Sequence, residues 1–199
     1  MKCRSGFFLL IVLLVSGCSQ TPEIQTEIDP TPYWLEHQLA VNQIHSWNIN
    51  GRVGIKTDKQ NGSAVLYWHQ YDTNYELRII APLGQGTYIL RGSPAGVVMQ
   101  GPDGKIYSAN NPEELMQAGL GWSVNLEGLQ YWVRGIPRPG VSYSELSLDA
   151  KGRLDYLNQS GFSIDVERYT ELDNVSLPGK LLIKSDSLQL KMIIQSWEI

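Results

Sequence analysis

Asn61-Gly62-Ser63-Ala64-Val65-Leu66-Tyr67-Trp68-His69-Gln70 decides the fold class of this 199-residue chain. Asn-Gly is a strong signal for a two-residue hairpin turn, because both residues tolerate positive φ. Behind it Ala64, Leu66 and Trp68 fall on one face of an extended chain, and Val65, Tyr67 and His69 on the other. On the near side Ile49, Gly51, Val53 and Ile55 alternate. On the far side Tyr75, Leu77, Ile79 and Ala81 alternate against Glu76 and Arg78. Three successive runs of period two with short connections predict an antiparallel meander.

The pattern extends toward the C-terminus. Residues 87–91 and 96–100 read as strands, and Pro102-Asp103-Gly104-Lys105 as a tight turn into Ile106-Tyr107. A helical interlude follows. Asn111-Pro112-Glu113-Glu114 is a helix start with acids in its first turn, and Gly119 is its expected stop. A second short helix is expected over 126–134, before Gly135-Ile136-Pro137-Arg138-Pro139-Gly140 breaks the chain. Strands are then expected at 144–148, 154–158, 162–169, 181–184 and 188–197. In the last of these Leu188, Leu190, Met192 and Ile194 face one way, with Lys191, Ile193, Gln195 and Trp197 on the other face. Before the meander, Thr31 and Pro32 suit the N-cap and first position of a helix of about four turns ending near Ser46. Tyr33, Trp34, Ala40, Val41 and Ile44 lie on one of its faces, and Leu35 and Leu39 form a second apolar patch. About eleven antiparallel strands must curl or split into layers. The expected fold is mainly β with short α-helices: an open, half-closed antiparallel barrel with helices at its concave face.

Two features bear on the inside of that barrel. Val65/Leu66/Tyr67/Trp68, Leu77/Ile79/Ile80 and Leu181/Leu182/Ile183 place apolar residues on both faces of their strands. Either helices cover one face and loops the other, or an apolar cavity lies inside and an outer cover outside. Periodicity alone does not separate these. The turn Ala81-Pro82-Leu83-Gly84-Gln85-Gly86 carries a leucine at its tip. Leu83 either folds back onto the rim of the core or stands out as a probe for a membrane or partner.

At the N-terminus Lys2 and Arg4 precede an unbroken apolar run, Phe7 to Val15, too short to span a bilayer. Val15-Ser16-Gly17-Cys18 then matches a bacterial lipoprotein signal. On this reading residues 1–17 are cleaved, Cys18 carries N-acyl and S-diacylglycerol groups, and 18–31 is a polar, proline-broken tether. The single domain is 32–199. Cys3 leaves with the signal, so no internal disulfide is possible. Ser19, rather than Asp, permits outer-membrane sorting under the rule for enteric lipoproteins. Of 16 basic residues the signal takes Lys2 and Arg4, leaving 14 against 20 acidic residues, a net charge of −6. That balance disfavours nucleic acid as a partner. Catalytic signatures are missing: there is no nucleophile elbow, zinc-protease motif or phosphate loop, and Gly84-Gln85-Gly86 lacks a third glycine. His37, His45 and His69 do not have metal-ligand spacing. No cofactor is expected beyond the covalent lipid.

Across the mature chain the sequence resembles the LolB family, outer-membrane lipoprotein receptors of the lipoprotein-localisation pathway. The matching features run in order: the lipoprotein signal, the Tyr33-Trp34 helix, Trp47-Asn48-Ile49-Asn50-Gly51-Arg52, Ala64 to His69, Leu77 to Leu83 with its Pro-Leu-Gly turn, Gly104-Lys105-Ile106-Tyr107, Leu129-Gln130-Tyr131-Trp132-Val133-Arg134-Gly135 with Pro137, and Leu188 to Ile199. No one of these is diagnostic; their collinearity carries the resemblance. It implies an open barrel whose helices close a hydrophobic cavity. It implies a monomeric receptor that takes acylated lipoprotein cargo from a soluble periplasmic carrier, LolA, without an energy source, and delivers it to the inner leaflet of the outer membrane. It places membrane delivery on the turn Pro82-Leu83-Gly84, with Leu83 protruding. The chain departs from the family at Ala81, where the family has Asn, which bears on how the chain approaches the turn. The cavity lining expected on this basis is Val53, Ile55, Leu66, Trp68, Leu77, Ile79, Leu129, Trp132, Leu190 and Met192, and a one-residue slip in any strand would exchange the two faces. The competing reading is an envelope-assembly lipoprotein that docks other proteins through a sheet edge and holds no lipid.

Overall fold

The computed structural model describes residues 31–82 and 86–199. The signal, Cys18 and nearly all of the tether lie outside the described residues, as do Leu83 and Gly84. The elements are α1 (Thr31–Asn42), β1 (Ser46–Thr57), β2 (Asn61–Tyr71), β3 (Asn74–Ile80), β4 (Thr87–Ser93), β5 (Gly96–Gln100), β6 (Ile106–Ala109), α2 (Pro112–Leu120), α3 (Leu126–Trp132), β7 (Tyr143–Leu148), β8 (Leu154–Gln159), β9 (Phe162–Glu171), β10 (Ser176–Lys184) and β11 (Leu188–Glu198).

The strands form a single antiparallel sheet in the order β6-β5-β4-β3-β2-β1-β11-β10-β9-β8-β7. It consists of two meanders joined where β1 pairs with β11. The outermost strands, β6 and β7, do not pair, so the sheet is open as expected. The chain passes from one edge to the other through α2 and α3. Helix α2 rests on β4, β5 and β6. On the other arm, Trp132 of α3 donates from Nε1 to Gln159 Oε1 at 2.9 Å, and its ring packs 5.3 Å from that of Phe162. The inward stripes of β1–β5 and β8–β11 and the apolar sides of α2 and α3 make one buried cluster, against which Ala109 of β6 and Leu146 of β7 pack from the edges.

Local chemistry explains several boundaries. Asn61-Gly62 is not the turn of the first hairpin. Both residues pair within β2, opposite Lys56 and Ile55. The turn is at Asp58-Lys59, three residues earlier, because the Thr57 hydroxyl accepts from the amides of Lys59 and Gln60, at 3.2 and 3.1 Å, and closes the loop itself. Helix α1 stops at Asn42, earlier than expected. Its last carbonyls, of Ala40 and Val41, accept from Gln43 and Ile44, and the chain then enters β1 at Ser46. Helix α2 is capped by Asn111, whose side chain accepts from the Glu113 amide at 2.8 Å. It ends at Gly121 in the left-handed region (φ 79°), not at Gly119, which instead packs against Met99. β10 begins five residues before the expected start; Pro178 and a register shift there hide the period from the sequence.

The C-terminal strand contains the largest departure. The alternation holds through Ile194 and then slips by one, so that Trp197 is buried. The cause is a bulge: Asn50 pairs with Ser196 and Gly51 with Ile194, leaving Gln195 unopposed. Gly51 is required there, since a Cβ would overlap the Ile193 carbonyl oxygen. The Trp197 indole then donates to Pro178 O at 2.9 Å and packs edge-on to Trp47. The double-sided apolar pattern also resolves. Tyr67, Val98 and Ile193 are exposed on the convex face, so at these positions neither of the expected outer covers is present.

Candidate functional site

The site follows from the register of the first meander. Trp47 pairs with Gln70, Gln70 with Tyr75, Tyr75 with Gly92, and Gly92 with Val97. These residues form a row across β1–β5 at one end of the sheet, on the inward face. Gly92 has a specific role in that row: any Cβ there would overlap the Tyr75 ring, so its absence lets the phenol lie flat on the neighbouring strand. Helix α3 and the residues after it face the row. Asn125 caps α3 by accepting from Gly128 N at 2.6 Å, and Glu113 of α2 accepts from Leu126 N at 2.8 Å, which fixes the two helices relative to each other.

Between the row and α3 lies a cavity of about 630 Å³, partly open to solvent. Its apolar lining includes Ile44, Trp47, Trp68, Tyr75, Val97, Leu126 and Tyr131; its polar lining includes Gln70, Asp72, Glu127, Gln130 and Arg134. That size falls within the usual range for a small-molecule pocket. The rings of Trp47 and Trp68 pack 4.9 Å apart. The Trp68 indole is satisfied by Gln70 Oε1 at 3.1 Å, and Gln70 Nε2 donates to Asp72 O at 2.8 Å, so this buried polar pair leaves the wall without an unmet donor. Burial, and then the nearby Glu113 and Glu127, push the Tyr75 hydroxyl up to about 12, so it stays neutral. A second cavity of about 450 Å³ lies beside the first and shares Asn110, Pro112 and Glu127 with it. Among the described residues no cluster of His, Cys, Asp or Glu is arranged to hold a metal.

All ten residues expected to line the cavity are buried in the inward cluster. The larger cavity takes only Trp68 from them. Val53, Ile55, Leu66, Leu77, Ile79, Leu190 and Met192 lie further along their strands, buried in the core cluster and outside the lining of this cavity. Leu129 and Trp132 are packed on the buried side of α3. Trp47, Gln70, Tyr75 and Val97 were missed, although they belong to the same alternating stripes, extended to the strand ends. Pro82 lies next to the undescribed turn tip. The Ala81 amide donates to Gly86 O at 3.0 Å and closes the base of that loop, at the end of β3 opposite Tyr75.

A family model described as Outer membrane lipoprotein LolB matches residues 45–197. The outer-membrane lipoprotein LolB of Nitrosococcus oceani is 34% identical over 197 residues, covering 99% of this chain and 98% of that one. Those of Pseudomonas putida strain KT2440 and Pseudomonas syringae pv. syringae are each 35% identical over 201 residues, covering 100% of this chain and 97% of theirs. Among the described residues no helix is long and apolar enough to cross a membrane.

Proposed function

The chain belongs to the LolB family of outer membrane lipoproteins, and we propose that its cavity receives the acyl chains of incoming lipoproteins from a soluble LolA-like carrier and releases them into the inner leaflet of the outer membrane. It is a receptor in lipoprotein localisation, not an enzyme. The observation that carries the acyl-binding reading is the inward row at the strand ends, with Trp47, Tyr75 and Val97 facing α3 across a partly open cavity.

Burial of each methylene favours binding by about 0.8 kcal/mol, so ten methylenes inside would contribute about 8 kcal/mol without any charged contact. A bias of about two methylenes over the carrier, ~1.6 kcal/mol, is already more than tenfold in equilibrium. Direction therefore needs only graded apolar burial: carrier, then receptor, then bilayer. In this reading Cys18 is the lipidated anchor, 1–17 is the removed signal and 18–31 is the tether. Leu83 serves as the membrane probe. Its turn and the cavity row lie at opposite ends of β3, about 20 Å apart at ~3.3 Å per residue. Reception and delivery would then use different ends of the domain.

The test is transfer in solution. Residues 18–199 carrying Cys18→Ala are mixed with a carrier–lipoprotein complex, and the two are separated. Acylated cargo should co-elute with the receptor. Cargo that stays on the carrier would reject lipid acceptance in favour of a docking role through the sheet edges.

A further inference from the structure

Arg134 lies two residues beyond α3, half-buried in the lining of the larger cavity. Its Nε donates to Gln130 O at 2.9 Å and its Nη1 to Ile44 O at 3.2 Å, and its guanidinium sits 5.1 Å from the centre of the Tyr131 ring. Two of its five donor hydrogens are thus spent on backbone carbonyls, which fix the fork in place. Among the described residues no carboxylate lies within ion-pair distance of it. Glu127 shares the cavity but is paired with Arg138 at 2.5 Å. Desolvation pulls Arg134 below the ordinary arginine value, and only the Tyr131 hydroxyl opposes this. A cation held partly out of water, with no carboxylate partner and with donors to spare at a partly open cavity, is placed to donate to a ligand that supplies acceptors.

The surroundings indicate which acceptors. Asp72 and Glu127 line the same cavity, so an anionic head group would meet two acids. Neutral carbonyl oxygens meet no such penalty. Building on the acyl-acceptor reading, we propose that Arg134 is a head-group subsite that donates hydrogen bonds to the ester carbonyls where the acyl chains join their glyceryl group. It would set how deep the chains sit, and would distinguish an acylated glyceride from bare hydrocarbon. The apolar walls carry the affinity, and Arg134 carries the discrimination.

The test compares two synthetic N-acetyl-cysteine peptides that differ at one linkage: an S-glyceryl group bearing two palmitoyl esters, and the same group bearing two hexadecyl ethers. Each is titrated into residues 18–199 with Cys18→Ala, following tryptophan fluorescence, since Trp47 and Trp68 line the cavity. The native site should favour the ester by at least about tenfold, the lower end of what hydrogen bonds to a charged donor contribute. In R134Q that ratio should fall to near one, and R134K, which keeps the charge but not the fork, should fall between. Reading a ratio separates discrimination from a general loss of fold or affinity. A ratio that survives in R134Q, or displacement of the ester probe by palmitate at lower concentration than by the ester itself, would overturn the subsite. If the native protein binds neither probe, the acyl-acceptor reading fails first.

Discussion

Gln159→Leu should loosen the join between α3 and the far arm of the sheet. Gln159 is 1% exposed and fully engaged. Its Oε1 accepts from Trp132 Nε1 and from Arg138 N, both at 2.9 Å. Its Nε2 donates to Arg138 O at 3.0 Å and Val141 O at 2.8 Å. Leucine has similar bulk, so the effect is one of polarity. The Trp132 ring is fully buried, so its N–H loses its partner with no water to replace it, at about 2 kcal/mol. Arg138 and Val141 are partly exposed, and water recovers part of their loss, leaving about 1 kcal/mol for the three backbone groups together. The sum, about 3 kcal/mol, corresponds to a drop in Tm of roughly 6–12 °C for a domain of this size. Urea unfolding followed by tryptophan fluorescence should show a lower midpoint at an unchanged slope. A loss below about 1 kcal/mol would refute the idea that this glutamine is the main fastening of α3.

Gly51→Ala places a methyl against the Ile193 carbonyl at the bulge and should cost about 1–3 kcal/mol in urea titration. Gly62→Ala, with open space around it, is the control and should be neutral or slightly stabilising. His37 has its buried Nε2 without a hydrogen-bond partner, between Trp34 and Tyr169. Burial and then Arg153 hold its pKa below the ordinary 6.5, against the opposing pull of Asp149 and Glu171. The unfolded chain therefore takes up the proton first, so the stability from neutral His37 is present above pH 6.5 and is lost as pH falls below it. His37→Phe should lose less stability than the native chain between pH 7.5 and 5; equal losses would remove His37 from the account. Leu83→Glu should still strip cargo from the carrier but deliver it poorly to liposomes, and undiminished delivery would reject the probe role.

Strand number and the inward stripe were legible because period two survives wherever a strand is regular, as in Leu66/Trp68 and Leu77/Ile79. What was not legible came from devices that leave the composition unchanged. The bulge at Gln195 turned Trp197 inward, the Thr57 hydroxyl moved the hairpin turn away from Asn61-Gly62, and Pro178 hid the first half of β10. The cavity was harder still. Alternation says which residues face inward, but not where facing side chains leave space. That depends on the register that aligns Trp47, Gln70, Tyr75 and Gly92 across four strands, and on a glycine being the one that faces Tyr75. Arg134 gave no local signal at all, because its meaning lies in the absence of an acid beside it.

The β1–β11 join has a consequence for the order of assembly. Every other strand pairs with a neighbour in sequence, whereas Asn48 and Glu198, which meet across the join, are 150 positions apart. Each meander can form from short loop closures as it is synthesised, but joining them must wait for β11. Until then Ile49, Val53 and Ile55 lack the partners that bury them, and neither arm has a finished core. A chain exported N-terminus first would therefore stay open until its final strand arrives, and a chain cut before Leu188 should be degraded rather than persist as a partial receptor. Pulse-chase proteolysis of such truncations would show whether this join acts as the checkpoint between a chain in transit and a folded one.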